Sequence, residues 1–314
     1  MPKELKTAMT TGQHVALLRS RGMSVDEALA QQWFANVSYY RLSAYGYPAR
    51  VVDSSGVRGD AFRAGTDFEH VTSLYEADRK LRTLVHDGME RIEVSLRARV
   101  GQQLYSHGSL AHTDPRHFRP TFNHARWLET ARKRIDRAAH HNESIKHYRD
   151  TYGQYPFWVL AEVLDFADVS RLLEGLPAKD QLEISEGFGV RVDLAALSQS
   201  QSRTARKTPP LVRWMEQLTI IRNTCAHHAR LWNKSFTPAP TSALRTQPEL
   251  KLLPAGQSER LFGALVVMAR LLRSTSPGTT WPEKVVDLLD TAFLRNPLTN
   301  RASLGMPEDW VDEL

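Results

Sequence analysis

The stretch Thr66–Leu104, TDFEHVTSLYEADRKLRTLVHDGMERIEVSLRARVGQQL, carries the reading that sets the fold class. Phe68, Val71, Leu74, Leu81, Val85, Met89, Ile92, Leu96, Val100 and Leu104 recur at threes and fours, the spacing of one apolar helix face. Thr66-Asp67-Phe68-Glu69 opens the run as a capping box. Asp78, Arg79, Arg82, Glu90, Arg91, Glu93, Arg97 and Arg99 fill the other positions, and Gly88 is a soft point within them. The pattern predicts one helix of roughly 35–40 residues, about 55 Å at 1.5 Å per residue. A helix of that length implies the central strut of a helical bundle.

Outward from this strut, helical spacing continues and strand-like alternation is almost absent. Upstream, Ser24-Val25-Asp26-Glu27 reads as another capping box, leading into Ala28, Leu29, Trp33 and Val37 and an aromatic segment that ends at Pro48. Downstream, His107–His124 reads as a loop, Arg126–His141 as a basic helix and Phe157–Glu174 as a further helix. Residues 198–210 (SQSQSRTARKTPP) read as an exposed, mobile loop. Pro209-Pro210 then launches a helix at about 211–232, with Leu211, Trp214, Leu218, Ile221, Cys225 and Trp232 as its stripe. A connector over Thr237–Pro254 precedes helices at Glu259–Arg273 and Glu283–Leu294. The expectation is a single all-α domain over 1–314: an N-terminal helical segment at 1–60, a bundle core at 66–235 and peripheral C-terminal helices at 255–314.

Composition narrows the class. With 41% apolar and 24% charged residues in 314, the chain is neither disordered throughout nor fibrous. The single cysteine, Cys225, excludes an internal disulfide framework and any multi-cysteine zinc cluster. It sits on the apolar stripe and reads as a small core residue. Residues 1–14 lack an apolar leader, and the longest apolar stretch, Phe262–Ala269, is too short to span a bilayer. A soluble cytoplasmic protein without membrane association is expected. The 41 Lys+Arg against 35 Asp+Glu permit an anionic partner without requiring one.

The chemistry concentrates in RNTCAHHARLWN, Arg222–Asn233, which puts an arginine, an asparagine and two histidines on a helix otherwise built for a core. Arg222 followed by Asn223 and, five places on, by His227 is similar to the signature of HEPN ribonucleases. That run occurs in order with YYRLSAYGYP (Tyr39–Pro48), the Leu74–Arg97 stretch and PFWVLAEVLDF (Pro156–Phe166), and GMPEDW (Gly305–Trp310) follows them. Together these blocks resemble the Abi-like (abortive infection) family of bacterial phage-defence proteins, within the HEPN superfamily, over roughly residues 12–312. The resemblance implies a HEPN-like all-α fold, a metal-independent endoribonuclease without cofactor, and a homodimer in which two motifs face each other. It also implies a partner RNA, as substrate and as a small non-coding regulator, or a partner protein. Residues five apart on a helix differ by about 140° in direction, whereas Asn223 and His227, four apart, share a face. Either the long arginine stem reaches round within one chain, or a partner chain supplies the complementary residue, which a shared site across a two-fold axis does economically.

The residue types suit this chemistry. An imidazole can move a proton near neutral pH, so His227 is assigned as general acid/base. A guanidinium stays charged and can hold two phosphate oxygens, so Arg222 is assigned as phosphate clamp, with Asn223 beside it. His228, Arg230 and Glu162 are supporting candidates. Glu162 lies among apolar neighbours and would need a partner such as Arg222; Glu90 and Glu93, with Arg91, are alternatives, and for each an internal ion pair is the competing reading. Arg132, Lys133, Arg134 and Arg137 on the basic helix, with Arg203, Arg206 and Lys207 in the expected loop, are candidate contacts for an RNA backbone. Tyr39, Tyr40, Arg41, Tyr45 and Tyr47 are either core or base-stacking residues. His140, His141 and His147 lack a completing carboxylate or cysteine, and no metal site is assigned. The rival reading is a non-catalytic RNA-binding or interaction protein on the same scaffold. A small-molecule hydrolase ranks last, because no phosphate-cradling glycine loop is present.

Overall fold

The computed structural model describes residues 5, 7–311 and 313–314, so the reading of the N-terminus lies partly outside the described residues. In chain order the helices are α1 Thr11–Ser20, α2 Glu27–Asn36, α3 Tyr39–Gly46, α4 Phe68–Tyr105, α5 His124–Ala138, α6 Glu143–Tyr152 and α7 Phe157–Leu160. They continue as α8 Phe166–Gly175, α9 Ala178–Gly187, α10 Gln199–Lys207, α11 Pro210–Ala226, α12 Leu261–Thr275, α13 Trp281–Leu288 and α14 Arg301–Leu304. Counting the short 3-10 and π turns, helix makes up 62% of the described residues and strand 5%, which establishes the all-α class. Two small antiparallel pairs escape the sequence reading: β1 Arg50–Val52 with β2 Arg58–Phe62, and β3 Ala239–Pro240 with β4 Gln257–Ser258. No helix of the described residues is long and apolar enough to cross a membrane.

The chain divides into two compact units, one of residues 1–81 with 285–303 and one of 82–284 with 304–314. In the first, the expected capping boxes shift. Asp26, not Ser24, caps α2 by accepting from the Leu29 amide at 2.7 Å, and Asp67, not Thr66, caps α4 through the Glu69 amide at 2.7 Å. Ser24 instead bridges to Asp67, its carbonyl accepting from the Phe68 amide at 2.9 Å. Tyr45 is buried and donates to Asp78 at 2.6 Å, and Tyr39 stacks on His14, so these two serve the core. Tyr40 and Tyr47 remain exposed.

In the second unit, residues 82–105 of α4 supply Val85, Met89, Ile92, Leu96, Val100 and Leu104 to the core, all fully buried. Gly88 is no soft point. A Cβ there would stand 2.9 Å from the Met268 methyl on α12 and 3.0 Å from the Trp281 indole nitrogen on α13, so the glycine permits a close approach. Trp281 fixes that approach by donating to the Leu84 carbonyl at 2.6 Å.

The helix expected over Phe157–Glu174 is broken. Asp165 starts a new helix, α8, in a reciprocal capping box with Asp168, and the break leaves the Leu164 carbonyl free to accept a side-chain donor. Residues 198–210 are not a loop, because Ser198 caps α10 through the Gln201 amide and Ala205 is buried. Helices α6 and α9 lie outside the helical stretches expected from the sequence; α6 starts at the Asn142 cap, and α9 follows Pro177.

Candidate functional site

Helix α11 builds the site from its two faces. Pro210 takes the first helical position, where its missing amide costs nothing. Leu211, Trp214, Leu218, Ile221 and Cys225 are buried on the inner face. Gln217, also buried, donates to the Thr237 and Ser258 carbonyls at 2.7 and 2.9 Å and ties the β3–β4 connector to the helix. The outer face, at threes and fours, is Arg213, Glu216, Ile220, Asn223 and His227, each exposed or half-buried.

The helix ends at Ala226, six residues before the expected end at Trp232. The His228 amide donates to Cys225 and the Ala229 amide to Thr224, both at 2.9 Å, closing the last turn. His228 occupies the left-handed position there, with φ of 54°. Glycine is usual at such a stop, and histidine is among the residues that tolerate it. His227 is consequently the helix cap rather than a helical residue. Its amide still donates to the Asn223 carbonyl at 3.0 Å, so Asn223 and His227 stay on one exposed face.

Arg222 turns the other way, toward α4. Its Nη2 lies 3.6 Å from Glu93 Oε2, and its Nη1 donates to the Asn223 side-chain oxygen at 3.3 Å. Glu93 is held more tightly by Arg97, at 2.6 Å, and Arg97 also donates to the free Leu164 carbonyl at 2.8 Å. Burial pushes the Glu93 carboxyl above its ordinary pKa, the charges of Arg97 and then Arg222 pull it back only in part, and Asp165 pushes it up further. The exposed His86 on α4 also acts on Glu93. The loose Arg222–Glu93 contact orients the guanidinium while leaving N–H donors for a phosphate oxygen.

The predicted supporting residues scatter. Glu162 is exposed, does not pair with Arg222, and acts on the Tyr105 hydroxyl, whose pKa is raised first by burial and then by this carboxylate. Arg230 is half-buried with its guanidinium 5.8 Å over the Trp232 ring, and His228 is exposed at the helix stop. Among the basic candidates, Arg134 is withdrawn from the exposed face by Asp165 and by Asp168 at 2.7 Å. Arg132, Lys133 and Arg137 stay exposed on α5, with Lys133 paired to Glu129, and Arg203, Arg206 and Lys207 are exposed on α10. Glu93 was only an alternative in the sequence reading, and Arg97, Asp165 and His86 were missed as its companions. The i, i+4 spacing of Glu93 and Arg97 on the strut was the available signal. Among the described residues, no three His, Cys, Asp or Glu side chains group as a metal site.

A sequence profile of the Abi-like protein family matches residues 32–233, well over half of the chain. The chain belongs to the Abi-like protein family. The match takes in Glu93, Arg97, Asp165, Arg222, Asn223 and His227 and stops at Asn233, so it leaves out residues 12–31 and 234–312 of the wider resemblance. No curated protein and no solved structure matches this Abi-like chain.

Proposed function

We propose that this Abi-like protein is a metal-independent endoribonuclease of bacterial phage defence, a toxin-like member of the HEPN superfamily that acts by abortive infection in the cytoplasm. One observation carries the reading: a guanidinium oriented by a buried carboxylate beside an exposed asparagine and imidazole, at the open end of one helix. RNA brings its own nucleophile. The 2′-oxygen attacks the adjacent phosphorus while the bond to the 5′-oxygen breaks. His227 moves the proton, as base toward the 2′-hydroxyl or as acid toward the leaving oxygen. Arg222 holds the phosphate oxygens as their charge grows. The products are a 2′,3′-cyclic phosphate and a 5′-hydroxyl end, and DNA, lacking the nucleophile, is left intact. Because Arg222 faces α4 while His227 faces outward, a second copy completes the site in a homodimer. A partner RNA or protein restrains it, since an unregulated ribonuclease harms its host.

The test is cleavage of labelled RNA in EDTA by wild type, His227→Ala and Arg222→Ala, with product ends identified by mass spectrometry. Wild type cuts and each variant loses at least a hundredfold in kcat, within the usual contribution of an acid/base group. Full activity in His227→Ala, 5′-phosphate ends or a strict need for divalent metal overturns the reading. The Arg222–Glu93 pair also suits a purely structural arginine, so RNA binding without cutting by all three proteins establishes the non-catalytic binding module instead.

A further inference from the structure

A cleft of about 640 Å³ opens at the other end of α11, beside its first turn and against α5, α8 and the end of α10. Arg119, Arg126, Arg171, Lys207 and Arg213 line it, against two carboxylates, Asp168 and Glu174. Those carboxylates are already engaged. Arg134 holds Asp168, while Glu174 is shared by Arg171 at 2.7 Å and Arg213 at 3.6 Å. Glu216, next to the cleft, closes the same ring with Arg213 at 2.9 Å and Arg171 at 3.6 Å. The three remaining cations, Arg119, Arg126 and Lys207, outnumber the one carboxylate charge left by the double pairing of Arg134 with Asp165 and Asp168. The Arg119 guanidinium donates to neutral oxygens, the carbonyls of Leu176 and Lys207 and the side chain of Gln181, at 2.6–2.8 Å. Arg126 and Lys207 are exposed.

The cleft is tied to the candidate site by α11 itself. Arg213 lines the cleft and begins the outer stripe that runs through Glu216, Ile220 and Asn223 to His227. Fourteen residues at 1.5 Å separate the two ends, about 21 Å. That is about six nucleotides at ~3.4 Å per stacked nucleotide, and fewer in an extended strand.

We infer that this cleft anchors the phosphodiester backbone of the same RNA strand whose scissile phosphate lies at Arg222 and His227, several nucleotides away along the outer stripe of α11. The inference rests on the ribonuclease reading for the second half of that statement only. Phosphate binding in the cleft stands on its own charge. A backbone phosphate and a free nucleotide present the same chemistry, and the length of the ligand separates them.

The experiment measures binding of fluorescein-labelled single-stranded RNA of 4 and 16 nucleotides to the full chain carrying His227→Ala, by anisotropy across a salt series. Arg126→Glu/Lys207→Glu is added to that chain, with Arg126→Gln/Lys207→Gln as the milder pair. Lys251→Glu/Lys284→Glu makes the same change of charge outside the cleft. The 16-mer binds at least tenfold more tightly than the 4-mer. The cleft reversal removes at least tenfold of the 16-mer affinity and lowers the salt slope by about 1.4, because each of two neutralised single-strand phosphates carries about 0.7 of that slope. The glutamine pair follows in the same direction, while the outside pair changes affinity less than threefold. Equal losses from the outside pair, an unchanged salt slope in both cleft variants, or adenosine 5′-monophosphate bound as tightly as the 16-mer would each sink the inference. Strand anchoring without any cleavage by wild type refutes the ribonuclease reading and keeps the phosphate cleft. Wild-type cleavage of the 16-mer that the cleft reversal leaves unaltered refutes the anchor alone.

Discussion

Glu93 is a carboxylate held at a net disadvantage. Two guanidiniums stand within 4 Å of it, yet burial still outweighs them and its pKa lies above the ordinary value. The folded state therefore binds this proton more readily than the unfolded state, and Glu93's contribution to stability falls as pH rises through the window above 4.5. Glu93→Gln keeps the volume and removes that fall. Its melting temperature matches or exceeds wild type at pH 7, and the difference grows from pH 4 upward in thermal melts. RNA cleavage drops in the same variant, because Arg222 loses the charge that aims it. A variant that melts well below wild type at pH 7 would show the ion pairs outweighing burial. His112 has the opposite sign. Burial first, then the neighbouring His124, lowers its pKa from 6.5 to about 4, so it stays neutral in the fold while the unfolded chain takes up a proton. Stability is lost as pH falls from 6.5 to 4, by about 3 kcal/mol. Denaturant titrations of His112→Phe show a flatter pH profile over that window than wild type.

At the level of elements, legibility followed the length of the apolar stripe. The 38 residues of α4 match the expected 35–40 because a ten-position stripe fixes a helix whatever its caps do. For α11 the stripe was equally clear but the stop was hidden. No glycine or proline lies among residues 227–237, just past Ala226, and the left-handed turn falls on His228, which sequence patterns do not single out. Residues 199–207 gave almost no apolar signal, since one buried alanine suffices to seat α10, and its Ser198–Gln201 capping box was the cue that composition obscured. The site was legible in part for a related reason. Arg222, Asn223 and His227 are close together in sequence, whereas Glu93 reaches Arg222 only because α4 and α11 pack together. Gly88 reports the packing of α4 against α12 and α13. Gly88→Ala gains about 1 kcal/mol of helix propensity but drives a methyl group against Met268, Leu272 and Trp281, which costs about 1–3 kcal/mol. The expected result in urea titration is a net loss of about 1 kcal/mol, growing to failure of folding for Gly88→Leu. A gain in stability would mean that the three side chains yield freely.

For the whole molecule, the proposed mechanism requires an inward-turned arginine and an outward-facing histidine to act on one phosphate. Two arrangements can bring the groups together: both from one chain, since Arg222 Nη1 also reaches the Asn223 side chain, or one from each of two copies. Asn223 and His227 are locked one above the other by the helix, and Arg222 is engaged on α4 by Glu93. In a two-fold dimer each site takes Arg222 from one copy and His227 from the other. The proteins Arg222→Ala and His227→Ala are then each inactive alone, because every site in either lacks one group. Mixed and allowed to exchange subunits, they regain activity. Half of the dimers formed are heterodimers, and in each of these one site joins the intact Arg222 of one chain to the intact His227 of the other. The recovered rate is about one quarter of wild type at equal total protein, by this symmetry count. It appears only at concentrations where light scattering shows dimers. If the mixture stays as inactive as its components while dimers are present, both groups act within a single chain and the composite arrangement is wrong.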